Sequence, residues 1–185
     1  MKKPHFAGCV LLFIFASTVC ATVPAAPKPV ESTPKLENLG KQITANPENA
    51  QAYSNRGYTL ALLGRKEEAR ADLKKAAELK DDAQMHNRVG WAYFNMGDYA
   101  QALQEFETSV KLSEYKAHYD YYSIVLGSWG TGDLRRAMEN YQLAVERDPR
   151  LGSAKTLHER IAEWTPLEQR AMHEVYILWS KTWKL

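Results

Sequence analysis

The chain has 185 residues, 45% of them hydrophobic and 25% charged, which fits a soluble globular protein of one ordinary domain. Its 24 basic and 22 acidic residues give a formal net charge of +2. Taking Lys2 and Lys3 away with an export leader leaves 22 of each sign. A neutral chain has no electrostatic footprint for a polyanion, so nucleic acid drops out as a partner.

Lys2 and Lys3 precede an uncharged apolar run from Phe6 to Val19, followed by small residues. That is the layout of a secretory leader. Val19-Cys20-Ala21 places cleavage after Ala21, so residues 1–21 are read as leader and the rest as exported, periplasmic or secreted. The run is shorter than the ~20 residues of a membrane span; an uncleaved anchor is the alternative. Both cysteines, Cys9 and Cys20, lie in the leader, so a cleaved chain has no disulfide. A lipid anchor through Cys20 is a further alternative, although Val19 stands where lipoprotein signals carry Gly, Ala or Ser. Residues 22–34 hold Pro24, Pro27, Pro29 and Pro34, a composition that favours an extended, semi-rigid tether.

A flanking helix is predicted over residues 35–49, with Leu36, Leu39 and Ile43 as its apolar stripe. Asn46-Pro47 reads as an N-cap with proline at the first helical position, starting a helix over 47–63. Further helices follow at 66–79, 83–96, 99–112, 116–129 and 134–146. Asp98, with Gln101 behind it, is the expected N-cap of the helix over 99–112, and Asp133 that of the helix over 134–146. Asp148-Pro149 repeats the Asn46-Pro47 signal and predicts a helix over 149–164. Thr165-Pro166-Leu167-Glu168 then starts a last helix reaching Trp183, with Glu168 completing a capping box. No period-2 alternation bounded by turns is present, so no sheet is expected.

One small-residue pattern recurs three times along these helices. Gly57, Gly64, Ala69, Leu73 and Ala76 return as Gly90, Gly97, Ala102, Phe106 and Ser109, and again as Val125, Gly132, Ala137, Tyr141 and Ala144. A period in the low thirties marks helix pairs that bury their apolar faces only by stacking. Gly57 and Gly90 fall mid-helix, where glycine costs ~1 kcal/mol relative to alanine, so their recurrence has a packing reason. Two helices approach closely only where the crossing point carries no bulk. Leu73, Phe106 and Tyr141 would fill the space beside it.

The pattern resembles the tetratricopeptide repeat. Val89-Gly90, Tyr93, Gly97, Tyr99, Ala102 and Phe106 carry the best copy, and Tyr53, Gly57, Leu60, Gly64, Ala69 and Leu73 the first. Arg56 departs from that pattern where an apolar residue is usual. In the third copy Val125 takes a glycine position, and Gly127 and Gly130 indicate a looser turn. The resemblance covers about residues 36–164. It implies an all-α, right-handed solenoid of three helix hairpins at 50–82, 83–116 and 117–150, with capping helices at 151–185. It also implies a concave face lined by the first helix of each pair. Carried over, the peptide-binding groove comprises Gln51, Tyr58, Gln84, Asn87, Trp91, Phe94, Asn95, Tyr119, Tyr122 and Trp129, with Ser54, Ala61, Leu62 and Leu126 beside them. Aromatic rings and amides suit a peptide or helix of a protein partner. The basic ring with which some members hold a terminal carboxylate is missing, because Ser54 and Tyr58 fill its slots. Tyr93, Phe106 and Tyr141 read as core. The groove aromatics have the alternative of lying under the chain's own C-terminal helix.

The last helix carries two apolar stripes. Met172, Tyr176, Trp179 and Trp183 form one, and Leu167, Ala171, Val175 and Leu178 the other. One stripe is expected to cap the solenoid. The first is read as a second contact patch for a partner, a membrane surface or a second copy. His86, His118, His158 and His173 are scattered, and no nucleophile elbow, phosphate loop or zinc motif occurs. The expected function is therefore a non-enzymatic adaptor of the cell envelope without cofactor or metal. The alternative is a membrane-tethered structural or oligomerisation subunit acting through the Trp-rich last helix.

Overall fold

The computed structural model describes residues 33–116 and 120–183. The leader, the tether before Thr33 and the groove residue Tyr119 lie outside these residues. Within them the chain forms nine α-helices, one short 3-10 turn and no strand. The order is α1 (Pro34–Ala45), α2 (Ala50–Leu62), α3 (Lys66–Leu79), α4 (Ala83–Met96) and α5 (Tyr99–Ser113). Then come α6 (Asp120–Gly130), α7 (Leu134–Arg147), the 3-10 turn (Pro149–Gly152), α8 (Ala154–Arg160) and α9 (Pro166–Trp183). Helices α2–α3, α4–α5 and α6–α7 form three stacked hairpins, the helical solenoid expected from the repeats.

Local chemistry moves several helix starts. Helix α1 begins one residue early, because Thr33 Oγ1 caps Leu36 N and Pro34 takes the first helical position. Asn46 does not cap α2. Its side chain and carbonyl close a turn onto Glu48 and Asn49, and Asn49 caps Ala52 N at 3.0 Å instead. Asp98 makes no capping bond; Arg70 on α3 forks onto its carboxylate at 2.9 and 2.8 Å, a charge-assisted pairing that outcompetes a backbone N–H. Asp133 does cap α7, accepting from Arg136 N at 3.0 Å. The helix expected over 149–164 is broken. Asp148 closes only the 3-10 turn, Ser153 is extended, and its side chain recaps α8.

Between the two helices of each hairpin sits one left-handed residue: Gly64, Gly97 and Gly132, with φ of 74°, 79° and 82°. A side chain is disfavoured there, so the recurring glycine sets the hairpin turn. The mid-helix glycines act through space. A β-carbon on Gly90 would lie 2.5 Å from the Phe106 ring, and one on Gly57 2.9 Å from Leu73. Ala69, Leu73, Ala102, Phe106, Ala137 and Tyr141 are all fully buried at these crossings. Gly127 and Gly130 are not a looser turn. Both lie in α6, pressed against Leu103 and Tyr99 of α5, so the third hairpin docks on the second through its own glycine pair. Arg56 is also explained: it forks onto the buried Asp72 carboxylate at 2.6 and 2.7 Å, tying α2 to α3.

The C-terminal segment closes the solenoid. Ala171, Met172 and Val175 are fully buried and Trp179 is 4% exposed. Trp179 Nε1 donates to Gln142 on α7 at 2.7 Å, and its ring lies 5.4 Å from that of Tyr141. At the start of α9 the expected capping box forms, with Thr165 N donating to Glu168 at 2.8 Å and Glu168 N returning to Thr165 Oγ1 at 3.4 Å. The box is docked on α4. Asn95 Nδ2 donates to Glu168 Oε1 at 2.5 Å and Thr165 Oγ1 to Asn95 Oδ1 at 2.9 Å.

Opposite signs are expected at two glycines. Gly90→Ala should cost about 1–3 kcal/mol by overpacking against Phe106. Gly40→Ala, with open space beside it in α1, should gain about 0.5–1 kcal/mol; chemical denaturation measures both. A pH dependence follows from Glu168, whose burial holds its carboxyl above the usual range against the pull of its hydrogen bonds. The stability it contributes is full below the unfolded value of about 4.3 and is lost as pH rises through the folded value. Glu168→Gln should therefore lose less stability than the native chain as pH rises above about 4.3. An identical change of unfolding free energy with pH in both chains, measured by urea denaturation, would refute this.

Candidate protein-binding site

The concave face is built from α2, α4 and α6, and its expected residues meet different fates. Gln51 and Gln84 are exposed, and Gln51 Nε2 donates to Asn55 at 2.8 Å. Tyr58 and Trp91 are half-buried and face a cleft. Phe94 is not a groove residue. It is 0% exposed, in the core between Tyr99 and Trp129. Asn87 is likewise turned inward, where its Oδ1 accepts from Ser123 Oγ at 2.5 Å and Trp91 Nε1 at 3.3 Å. A buried amide at a helix crossing is held by its need for partners.

Three further expected groove residues lie beneath the chain's own C-terminal segment. Asn95 holds the capping box of α9. Tyr122 is 8% exposed beside the Trp164 ring, at 6.2 Å. Trp129 Nε1 donates to Glu174 on α9 at 2.8 Å. Trp164 itself meets Trp91 edge-on at 4.9 Å. The alternative of self-coverage thus holds for the groove beyond Trp91. The physical reason is the apolar face of α9, which finds its burial on α6 and α7.

The second contact patch is corrected for the same reason. Met172 and Trp179 are core, Tyr176 is half-buried against Tyr141 at 6.2 Å, and only Trp183, 42% exposed, faces outward. The other stripe is also turned inward, with Ala171 and Val175 fully buried, so among the described residues Ile177 and Trp183 are the large apolar side chains of α9 left exposed. Among the described residues no helix is long and apolar enough to cross a membrane.

What stays open is a cleft of about 240 Å³ lined by Lys35, Ser54, Asn55, Tyr58, Arg88 and Trp91. Burial, with the Glu168 carboxylate second, pushes the Tyr58 hydroxyl up to about 12, so at neutral pH it is a proton donor. Sequence reasoning missed Lys35, Asn55 and Arg88. Lys35 comes from the flanking helix, outside the repeat pattern. Arg88 follows Asn87 directly in α4, and that adjacency was the available signal. The cleft joins two rings, two cations and short polar groups. That equips it to stack and to accept a negative charge.

Elsewhere the fold brings together the His158 and His173 rings, 5.9 Å apart, although the sequence separates them. Among the described residues no group of three His, Cys, Asp or Glu side chains is placed to hold a metal ion.

Two family models described as tetratricopeptide repeat match in tandem, at residues 50–82 and 83–115. These are the first two hairpins. The human tetratricopeptide repeat protein 13 is 31% identical over 112 residues, 60% of this chain and 13% of that protein. The Hsp70-Hsp90 organizing protein of Triticum aestivum is 39% identical over 71 residues, 38% of this chain and 12% of that protein. The chain thus spans about an eighth of the length of these relatives. Among solved structures, a crystal structure of MamA has a TM-score of 0.53 at 19% identity, covering 79% of this chain and 86% of that one. A MamA double mutant reaches 0.54 at 19% identity, with 80% and 84% covered. At such identity the likeness shows the fold alone. Stacked hairpins, glycine crossings and tandem matches agree: the chain is a tetratricopeptide-repeat protein.

Proposed function

We propose that the chain is a non-enzymatic adaptor that holds a peptide or helix of a protein partner in the open end of its concave face. The observation that carries this reading is the division of that face: α9 and Trp164 fill it beyond Trp91, while the cleft between Tyr58 and Trp91 stays accessible. Tyr and Trp give contact area at low rotamer cost and dominate binding hot spots. Lys35 and Arg88 add positive charge, suiting a segment with an acidic side chain beside an apolar one. These cations stand outside the slots of the basic ring that the sequence lacks. The wheat relative's name, which makes it an organizer of two other proteins, supports a protein-binding role by analogy only.

The adaptor works in the cell envelope, exported to the periplasm or secreted by the leader of residues 1–21. The basic start, the short apolar run and the small residues before Thr22 support this.

A photo-crosslinking residue in place of Tyr58 should trap a protein in the native compartment, and one in place of Glu139 on α7 should not. Arg88→Glu should lower the yield at position 58 by about fivefold or more, as expected for an opposed charge at a contact. Equal trapping at both positions, or none at 58, would contradict the cleft assignment. Terminal sequencing of the extracytoplasmic fraction should find a chain beginning near Thr22; a chain starting at Met1 in the cytosol would contradict export.

A further inference from the structure

A second cleft, of about 410 Å³, opens where the start of α6 meets the ends of α7 and α8. Lys116, Arg147, Arg150 and Arg160 line it, with Tyr121, Tyr122 and a single carboxylate, Asp148. The four cations come from four separate segments: the residues after α5, the end of α7, the 3-10 turn and the end of α8. A cation in the last turn of a helix complements its dipole, which accounts for Arg147 and Arg160 one at a time. It does not account for all four facing one space.

The charges in the cleft do not cancel. Arg150 forks onto Asp148 at 2.7 and 2.8 Å, and Lys116 pairs with Glu114. Arg147 lies over the Tyr121 ring at 5.3 Å, and Arg160 is near enough to Tyr122 and Asp148 for its charge to act on both. Asp148 is the one carboxylate lining the cleft and Arg150 already forks onto it, so the charges of Arg147 and Arg160 are left without a second carboxylate to match them. Guanidinium forks match phosphate oxygens, and a phosphate monoester carries about −1.5 to −2 charges at neutral pH. A lone carboxylate would balance only one of the two.

We propose that this cleft binds a phosphoryl group carrying close to two negative charges. The surplus of two guanidinium groups sets the charge, and the Tyr121 ring under Arg147 helps to hold one of them in the cleft. The site shares no residue with the Tyr58–Trp91 cleft, so it stands or falls apart from the adaptor reading. The same chemistry is offered by a soluble phosphate compound and by a lipid with a phosphomonoester headgroup.

Calorimetric titration of the full chain with glycerol 3-phosphate at low ionic strength, and cosedimentation with phosphatidylcholine vesicles with and without phosphatidic acid, separate the two sources. Saturable binding in either arm is expected. The Arg147→Gln/Arg160→Gln variant should weaken it by about tenfold or more, with an unchanged melting temperature, since both side chains are exposed. Glycerol 3-phosphate binding assigns a soluble ligand; binding to phosphatidic acid vesicles alone assigns a lipid headgroup. No binding in either arm, binding unaffected by the double variant, or succinate binding as tightly as glycerol 3-phosphate would each overturn the proposal.

Discussion

The structure depends on how closely two helices can approach where neither carries bulk. At the α4–α5 crossing Gly90 leaves the space that the Phe106 ring fills, and Ala102 lies fully buried beside it. Gly57, Leu73 and Ala69 repeat the arrangement between α2 and α3. Interiors are packed like crystals, so a crossing built on a missing β-carbon has little room to adapt. The first two hairpins are fixed this way, with Val125 in the glycine position of the third, and the left-handed glycine between the helices of all three sets their direction. Stacking then follows, because a single hairpin cannot bury its apolar face alone.

A solenoid has two ends, and this one solves its C-terminal end at the expense of its groove. Met172, Val175 and Trp179 find their burial on α6 and α7. To reach them the chain passes Trp164 and the Thr165–Glu168 capping box across the concave face of α4. The box thus caps its own helix and holds the segment to Asn95. The accessible concave surface shrinks to the stretch near α1 and α2, where Lys35, Tyr58 and Arg88 remain. The order of the chain decides which part of the groove is left for a partner.

The hairpins were readable because their signals are local and repeated: three turn glycines, and small residues set four before a large one. The capping box at Thr165–Glu168 was readable for the same reason. Asp98 and Asp148 show the limit, because an arginine that the sequence places 28 residues away, or two residues on, decides what each carboxylate does. The groove was read with less success. Phe94 and Asn87 sit at concave positions by spacing, but the contacts that bury them come from α5 and α6. The α9 stripe could be recognised as apolar, but not assigned to a neighbour, since hydrophobicity has no direction until the partner surface exists. Lys35 and Arg88 carry no motif at all, and only the fold brings them together.

The family, the fold and the groove's division all rest on tiny side chains at the helix crossings. Thermal unfolding of Ala69→Leu and Ala102→Leu tests that basis most directly. Overpacking of this kind costs about 1–3 kcal/mol per site, so each variant should melt several degrees lower with its helicity retained at low temperature. Melting temperatures equal to that of the native chain in both variants would contradict the account.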